Sequence, residues 1–160
     1  MGIASLFRRL IGAQPEPQQT VTMPSPDDLE RLQDQRQVVN AILAEHYPPA
    51  SLSGTRADLA LLQKVLDDRV LTPDQTYELQ SLGIALGDVM AARLGLHWVT
   101  VEDQYGRDPA LQYEDTSLIV YPLTMISKRV ERGESTQVAW LVETTQEQLT
   151  KLGKRVAALP

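Results

Sequence analysis

The stretch Leu79–Arg107, LQSLGIALGDVMAARLGLHWVTVEDQYGR, decides the fold of this chain. Its first half places Leu79, Leu82, Leu86, Val89, Met90 and Leu94 at three- and four-residue steps, one face of a helix. Gly83 and Gly87 stand four apart on a flank of that face. Each costs a helix interior roughly 1 kcal/mol relative to alanine, so the pair predicts that another backbone packs closely against them. The alternative is a ligand or partner chain pressed into the glycine groove. Gln80, Asp88 and Arg93 exclude a membrane span. Gly95 stands where a left-handed C-terminal cap belongs, with Arg93 in the last turn. The run His97–Glu102 is β-branched, aromatic and alternating, which predicts a strand. His97, Val99 and Val101 are expected to face the helices. Trp98, Thr100 and Glu102 would then lie on the second face, under a returning segment or at a partner surface.

Upstream, Ser25-Pro26-Asp27-Asp28 is a helix start, with a serine cap, proline in the first turn and acids beside the positive end. Leu29, Leu32, Val39, Ile42, Leu43 and His46 continue the face, interrupted by Arg36, and Tyr47-Pro48-Pro49 ends it. Ser53-Gly54-Thr55 opens a second helix with Leu59, Leu62, Val65 and Leu66 inward. Thr72-Pro73-Asp74-Gln75 repeats the start signal in the spacing of a capping box and leads into the glycine helix. Met1–Gly12 is a short amphipathic tail, and Ala13–Pro24, with three prolines and three glutamines, has a linker composition. Residues 1–24 are thus expected to be tail and linker, and 25–160 a single domain.

Downstream, Asp103–Pro109 is a turn by composition, Ala110–Tyr113 a second strand and Ser117–Tyr121 a third. Short connections make these an antiparallel meander. Pro122 closes the last strand and opens a short helical segment with Leu123, Ile126 and Val130 inward and Lys128, Arg129 and Arg132 outward. A last helix from about Ser135 to Ala158 carries Val138, Leu141, Val142, Thr145, Leu149, Leu152 and Val156 on its stripe. The expected fold is α+β: N-terminal helices and a long C-terminal helix packed on a three-stranded antiparallel β-meander.

The totals narrow the function. A chain of 160 residues suffices for one domain, and its net charge of −6 argues against a nucleic-acid partner. An absence of cysteine excludes disulfides, thiol catalysis and thiolate zinc sites.

The Leu82-Gly83 and Gly87 helix, the Trp98 strand, the turn of Asp103 with Tyr105–Asp108, and the segment Pro122–Arg129 occur in this order. Together they resemble the bacterial family named domain of unknown function 3806, over roughly residues 76–143. The resemblance implies a bacterial origin and a recurring domain, and no reaction.

The residue types offer no convergent chemistry. Adjacent carboxylates at Glu102-Asp103 and Glu114-Asp115 point to opposite faces of a strand. His46 and His97 lack metal-ligand spacing, and Ser117 and Ser127 lack a nucleophile context. No catalytic residue, metal or cofactor is therefore expected. The candidate partner surface comprises Trp98, Glu102, Asp103, Tyr105, Arg107, Asp108, Lys128 and Arg129, with Glu102 or Asp103 pairing with Lys128 or Arg129. Tyrosine and arginine are enriched at interface centres. The expected function is a non-catalytic protein-interaction domain in the bacterial cytoplasm, in one version an immunity-type inhibitor of a toxin. The alternatives are a small-ligand binder or enzyme using the Asp103–Arg107 turn, and a membrane-peripheral protein anchored through Met1–Ile11.

Overall fold

The structure, a computed structural model, describes residues 19–157 apart from the side chains of 155–157. The tail Met1–Gly12, most of the linker and the side chain of Val156 lie outside the described residues. Four strands form one antiparallel sheet in the order β1-β2-β3-β4. They are β1 (Thr20–Thr22), β2 (Leu96–Asp103), β3 (Gly106–Tyr113) and β4 (Ile119–Val120). The helices are α1 (Pro26–His46), α2 (Asp58–Asp67), α3 (Thr76–Leu94), α4 (Ser127–Glu131) and α5 (Val138–Ala157). A single 3-10 turn, Pro122–Thr124, links β4 to α4.

The fold is α+β with an antiparallel meander, and it has one strand more than the sequence predicts. β1 comes from the segment with linker composition and pairs Thr20 with Glu102, Val21 with Val101 and Thr22 with Thr100. All three of its residues are exposed, so it carries no buried alternation, and the neighbouring prolines outweigh its β-branched signal. β3 also begins earlier than expected. Gln104 and Tyr105 form a two-residue hairpin loop between Asp103 and Gly106, whose φ is +139°. Pro109 lies inside β3 opposite Thr100, while β4 reaches only Leu111 and Gln112. The missing N–H therefore falls where β3 has no second neighbour, the place a strand tolerates proline. β4 is shorter than the Ser117–Tyr121 run.

The helix ends follow local chemistry. Ser25 Oγ accepts the Asp28 N–H at 3.2 Å and Asp28 Oδ2 accepts the Ser25 N–H at 2.8 Å, a reciprocal capping box. Buried Asp58 starts α2 by accepting the N–H groups of Ser53 and Gly54, each at 2.8 Å. The helix thus begins after the Ser53-Gly54-Thr55 turn. Gln75 Oε1 accepts the Thr72 N–H at 2.8 Å and shapes the turn before α3, which starts at Thr76. Gly95 caps α3 with φ 68°. Leu29 and His46, expected on the inner face of α1, are exposed, while Leu32, Val39 and Leu43 are buried.

Both faces of the sheet contribute to the core, and the face expected to lie away from the helices meets them directly. Leu96, Trp98, Thr100 and Glu102 share a face with Tyr113, Leu111, Pro109 and Arg107. On that face Trp98 Nε1 donates to Asp88 of α3 at 3.0 Å, and Thr100 Oγ1 donates to Asp28 of α1 at 2.9 Å. Val99, Val101, Ala110 and Ile119 on the other face are buried too. Alternation separates two faces without saying which one a helix covers, and here the indole N–H is held by an acceptor that α3 supplies.

Gly83 and Gly87 let other chain segments come very close to α3. A Cβ on Gly83 would stand 2.5 Å from the Pro122 carbonyl oxygen and 2.6 Å from that of Leu123. A Cβ on Gly87 would stand 2.6 Å from the Trp98 ring and 2.8 Å from the Pro122 ring. α3 packs on α1, β2 and the 3-10 turn, and also on α2, α4 and α5. It is consequently buried on every side from Ser81 to Gly87 and not on one face alone. On α5 the stripe Val138, Leu141, Val142, Thr145, Leu149 and Leu152 is buried as expected. The Gln63 carboxamide of α2 grips the entry to α5, accepting the Val138 N–H at 2.8 Å and donating to the Thr136 carbonyl at 3.0 Å.

Candidate binding cleft

Two arginine–aspartate forks fasten α1 to the rest of the domain. Arg36 donates to both Asp88 oxygens, at 2.7 and 2.8 Å. The fork raises the guanidinium pKa above its ordinary value, chiefly through the Asp88 hydrogen bonds and against the opposing effect of burial. Eight residues earlier, Asp28 receives Arg107 of the β2–β3 hairpin, Nε to Oδ1 at 3.1 Å and Nη2 to Oδ2 at 2.5 Å. Arg107 Nη1 also donates to Glu102 at 3.1 Å. The Arg107 guanidinium holds the Asp28 carboxyl far below the usual carboxylate range, with desolvation opposing and Ser25 and Thr100 assisting. Bidentate geometry makes both pairs more specific than single contacts.

Beside the second fork lies a cleft of about 240 Å³ between the first turns of α1, the start of α3, the β2–β3 hairpin and the 3-10 turn. Leu32, Val99, Pro109 and Leu123 supply its apolar surface. Gln35, Gln80 and Thr100 line it with neutral polar groups, and Tyr77 stands at its edge, half exposed. Its charged residues are Asp28, Asp34 and Asp108 against Arg31 and Arg107. Gln35 is 8% exposed as a residue, and neither its carboxamide nor that of Gln80 takes a hydrogen bond from the protein, so the polar atoms of both face solvent in the cleft. A carboxamide carries two donor hydrogens and an acceptor oxygen, and here both remain open to an outside partner.

The structure distributes the sequence-predicted surface residues over four places. Arg107 and Asp108 line the cleft, and Glu102 supports Arg107. Asp103 Oδ1 accepts the Tyr105 N–H at 2.7 Å in the hairpin loop, where Tyr105 is 79% exposed. Trp98 is half-buried against Gly87 and Asp88. The expected pairing of Glu102 or Asp103 with Lys128 or Arg129 does not occur. Lys128 is exposed, but Arg129 is buried with Ser127 and donates from Nη1 to the Met125 carbonyl at 2.9 Å. Burial lowers its pKa. The reason is geometric: Pro122 turns the chain onto α3, so the basic segment packs on the helix layer instead of running on to the hairpin tip. Asp28, Gln35 and Gln80 escaped the sequence reading. Asp28 carried a signal, since a capping acid with spare lone pairs can serve a second donor. The two glutamines carried none, because they stand on two different helices and neither is close to the hairpin in sequence.

Residues 58–141 match the family described as Domain of unknown function (DUF3806), more than half of the chain. The chain belongs to that family. The family segment contains α2, α3, the hairpin and the start of α5, whereas the α1 wall of the cleft lies upstream of it. A crystal structure from Bacteroides thetaiotaomicron VPI-5482 is similar with a TM-score of 0.73 at 16% identity, covering 84% of this chain and 49% of that one. At that identity the likeness concerns the fold, and the DUF3806 chain spans about half the length of that protein. No curated protein matches. Among the described residues no helix is long and apolar enough to cross a membrane.

Proposed function

We propose that this chain is a non-catalytic recognition module of the bacterial cytoplasm that binds a protein partner through the cleft and its rim. The observation that carries this reading is a recess with apolar lining into which the mostly buried Gln35 brings a carboxamide that has no partner in the protein. Pockets of mostly apolar lining with a few placed polar groups are the usual form of binding sites. A protein ligand is favoured by the rim. Met23, Leu29, Tyr77 and Tyr105 are four of the six large apolar side chains exposed among the described residues; Tyr77 lines the cleft, Met23 and Leu29 adjoin the lining residues Pro24 and Asp28 in the chain, and Tyr105 is in the loop of the hairpin that supplies Arg107. Exposed apolar residues grouped on a surface mark interaction sites. An immunity-type inhibitor of a toxin is a finer form of the same reading, supported by small size and a net charge of −6 that suits a basic partner.

Affinity capture with the full chain tests the module. Wild type is expected to retain one stoichiometric protein that Tyr77→Ala/Tyr105→Ala fails to retain while keeping wild-type circular dichroism. Equal capture by both proteins sinks the reading, as does recovery of bare monomer under every growth condition.

A further inference from the structure

Glutamine side chains grip main chain repeatedly in this molecule. Gln63 holds Thr136 and Val138 in a two-point clamp, Gln75 takes the Thr72 N–H, and Gln112 donates to the Thr116 carbonyl. Gln63 is the informative case: it pairs with the Thr136 carbonyl just before α5 and with the N–H of Val138, the first residue of that helix, so the carboxamide closes a ring with that backbone. Gln35 and Gln80 carry the same chemistry, stand on different helices of one cleft, and hold nothing. Charge adds a second constraint. Asp28 is already taken by Arg107, whereas Asp34 and Asp108 line the cleft without an ion pair among the described residues.

We infer that the cleft binds an extended peptide segment carrying a basic side chain, with Gln35 clamping its main chain and Asp34 and Asp108 receiving the cation. This deepens the proposed recognition role and rests on it. A segment outside a helix leaves N–H and C=O groups free for a carboxamide to pair with in a ring, as Gln63 pairs with Thr136 and Val138 at the entry to α5. A peptide that reproduces the hydrogen bonds solvent makes to these carboxamides displaces that solvent without loss. The apolar floor of Leu32 and Leu123 accepts the aliphatic stem of the basic residue.

The test uses the full-length ¹⁵N-labelled chain and two probes, acetyl-Ala-Ala-Lys-Ala-Ala-amide and its Glu counterpart. The lysine peptide is expected to shift the side-chain amide signals of Gln35 and Gln80, saturably, and to outbind the glutamate peptide. Gln35→Leu should weaken binding about tenfold, the loss of roughly one hydrogen-bonded contact. Gln80→Leu, at a half-buried position, should weaken it in the same direction. Asp34→Asn/Asp108→Asn should remove the preference for lysine. No shift at either glutamine up to about 10 mM peptide, beyond the range of millimolar affinities, overturns the inference. So does lysine amide alone reproducing the full shift, which would assign the cleft to a small cation. If capture of a partner depends on Tyr77 and Tyr105 but survives Gln35→Leu, the module stands and the peptide clamp falls. If neither responds, both fall.

Discussion

α3 meets its surroundings in two opposite ways along its length. In its middle, Gly83 and Gly87 let the Pro122–Leu123 main chain and the Trp98 ring settle onto the helix with no room left. At its start, Tyr77 and Gln80 share a recess with Gln35 of α1, and the two carboxamides there have no partner in the protein. The closed region gives up helix propensity to obtain contact. The open region leaves two carboxamides without a bond inside the protein. The first arrangement therefore serves architecture and the second is the proposed recognition site, and substitutions at the two should act on different quantities.

The largest effect is expected at Gly83. Any Cβ there is driven into carbonyl oxygens of the 3-10 turn, and main chain yields less readily than a side-chain tip. Gly83→Val should cost about 3 kcal/mol, the upper end for overpacking, since Val regains little of the helix propensity that Ala would. Gly87→Ala meets two rings instead, and its propensity gain of roughly 1 kcal/mol offsets part of the strain. Urea unfolding should rank Gly83→Val well below Gly87→Ala. Equal stabilities would mean that the turn is not held against α3.

A smaller effect, dependent on pH, is expected at Asp28. Its folded pKa is depressed, mainly by Arg107. A group of this kind contributes stability above its unfolded pKa of about 4 and loses it as pH falls through that value toward the folded one. The stability difference between wild type and Asp28→Asn should be constant near neutrality and shrink below about pH 4. A difference that stays flat down to pH 3 would show that the Arg107 fork does not survive in solution.

The architecture was legible where a residue's role is local. Ser25 and Asp28 cap α1, Gly95 caps α3, and the α5 stripe from Val138 to Leu152 is buried, all within a few residues of their own signals. β1 was illegible because three exposed residues have no periodicity. The cleft was illegible for another reason. Asp28 and Arg107 are separated by 79 positions, and Arg36 and Asp88 by 52. Neither pairing leaves a trace in spacing, since α1 packs alongside α3 only in three dimensions. The arginines of Pro122–Arg129 misled for the complementary reason: cationic composition suggests solvent, but a carbonyl at Met125 and the fold of the turn bury Arg129.

The smallest expected effect is the most discriminating. Gln35 lies 8% exposed within the α1 face that carries Leu32 and Val39, and it bonds to nothing in the protein. Were it structural, Gln35→Leu would remove a contact and destabilise by about 1 kcal/mol or more. Because there is no contact to remove, leucine should leave stability unchanged or raise it by up to about 1 kcal/mol, through added apolar burial. Stability gained at a polar position is the mark of a residue kept for binding at the expense of the fold. Chemical denaturation of Gln35→Leu beside wild type reads the sign directly. A destabilised variant would place Gln35 among the residues that hold α1 in position and would move the recognition site away from the cleft.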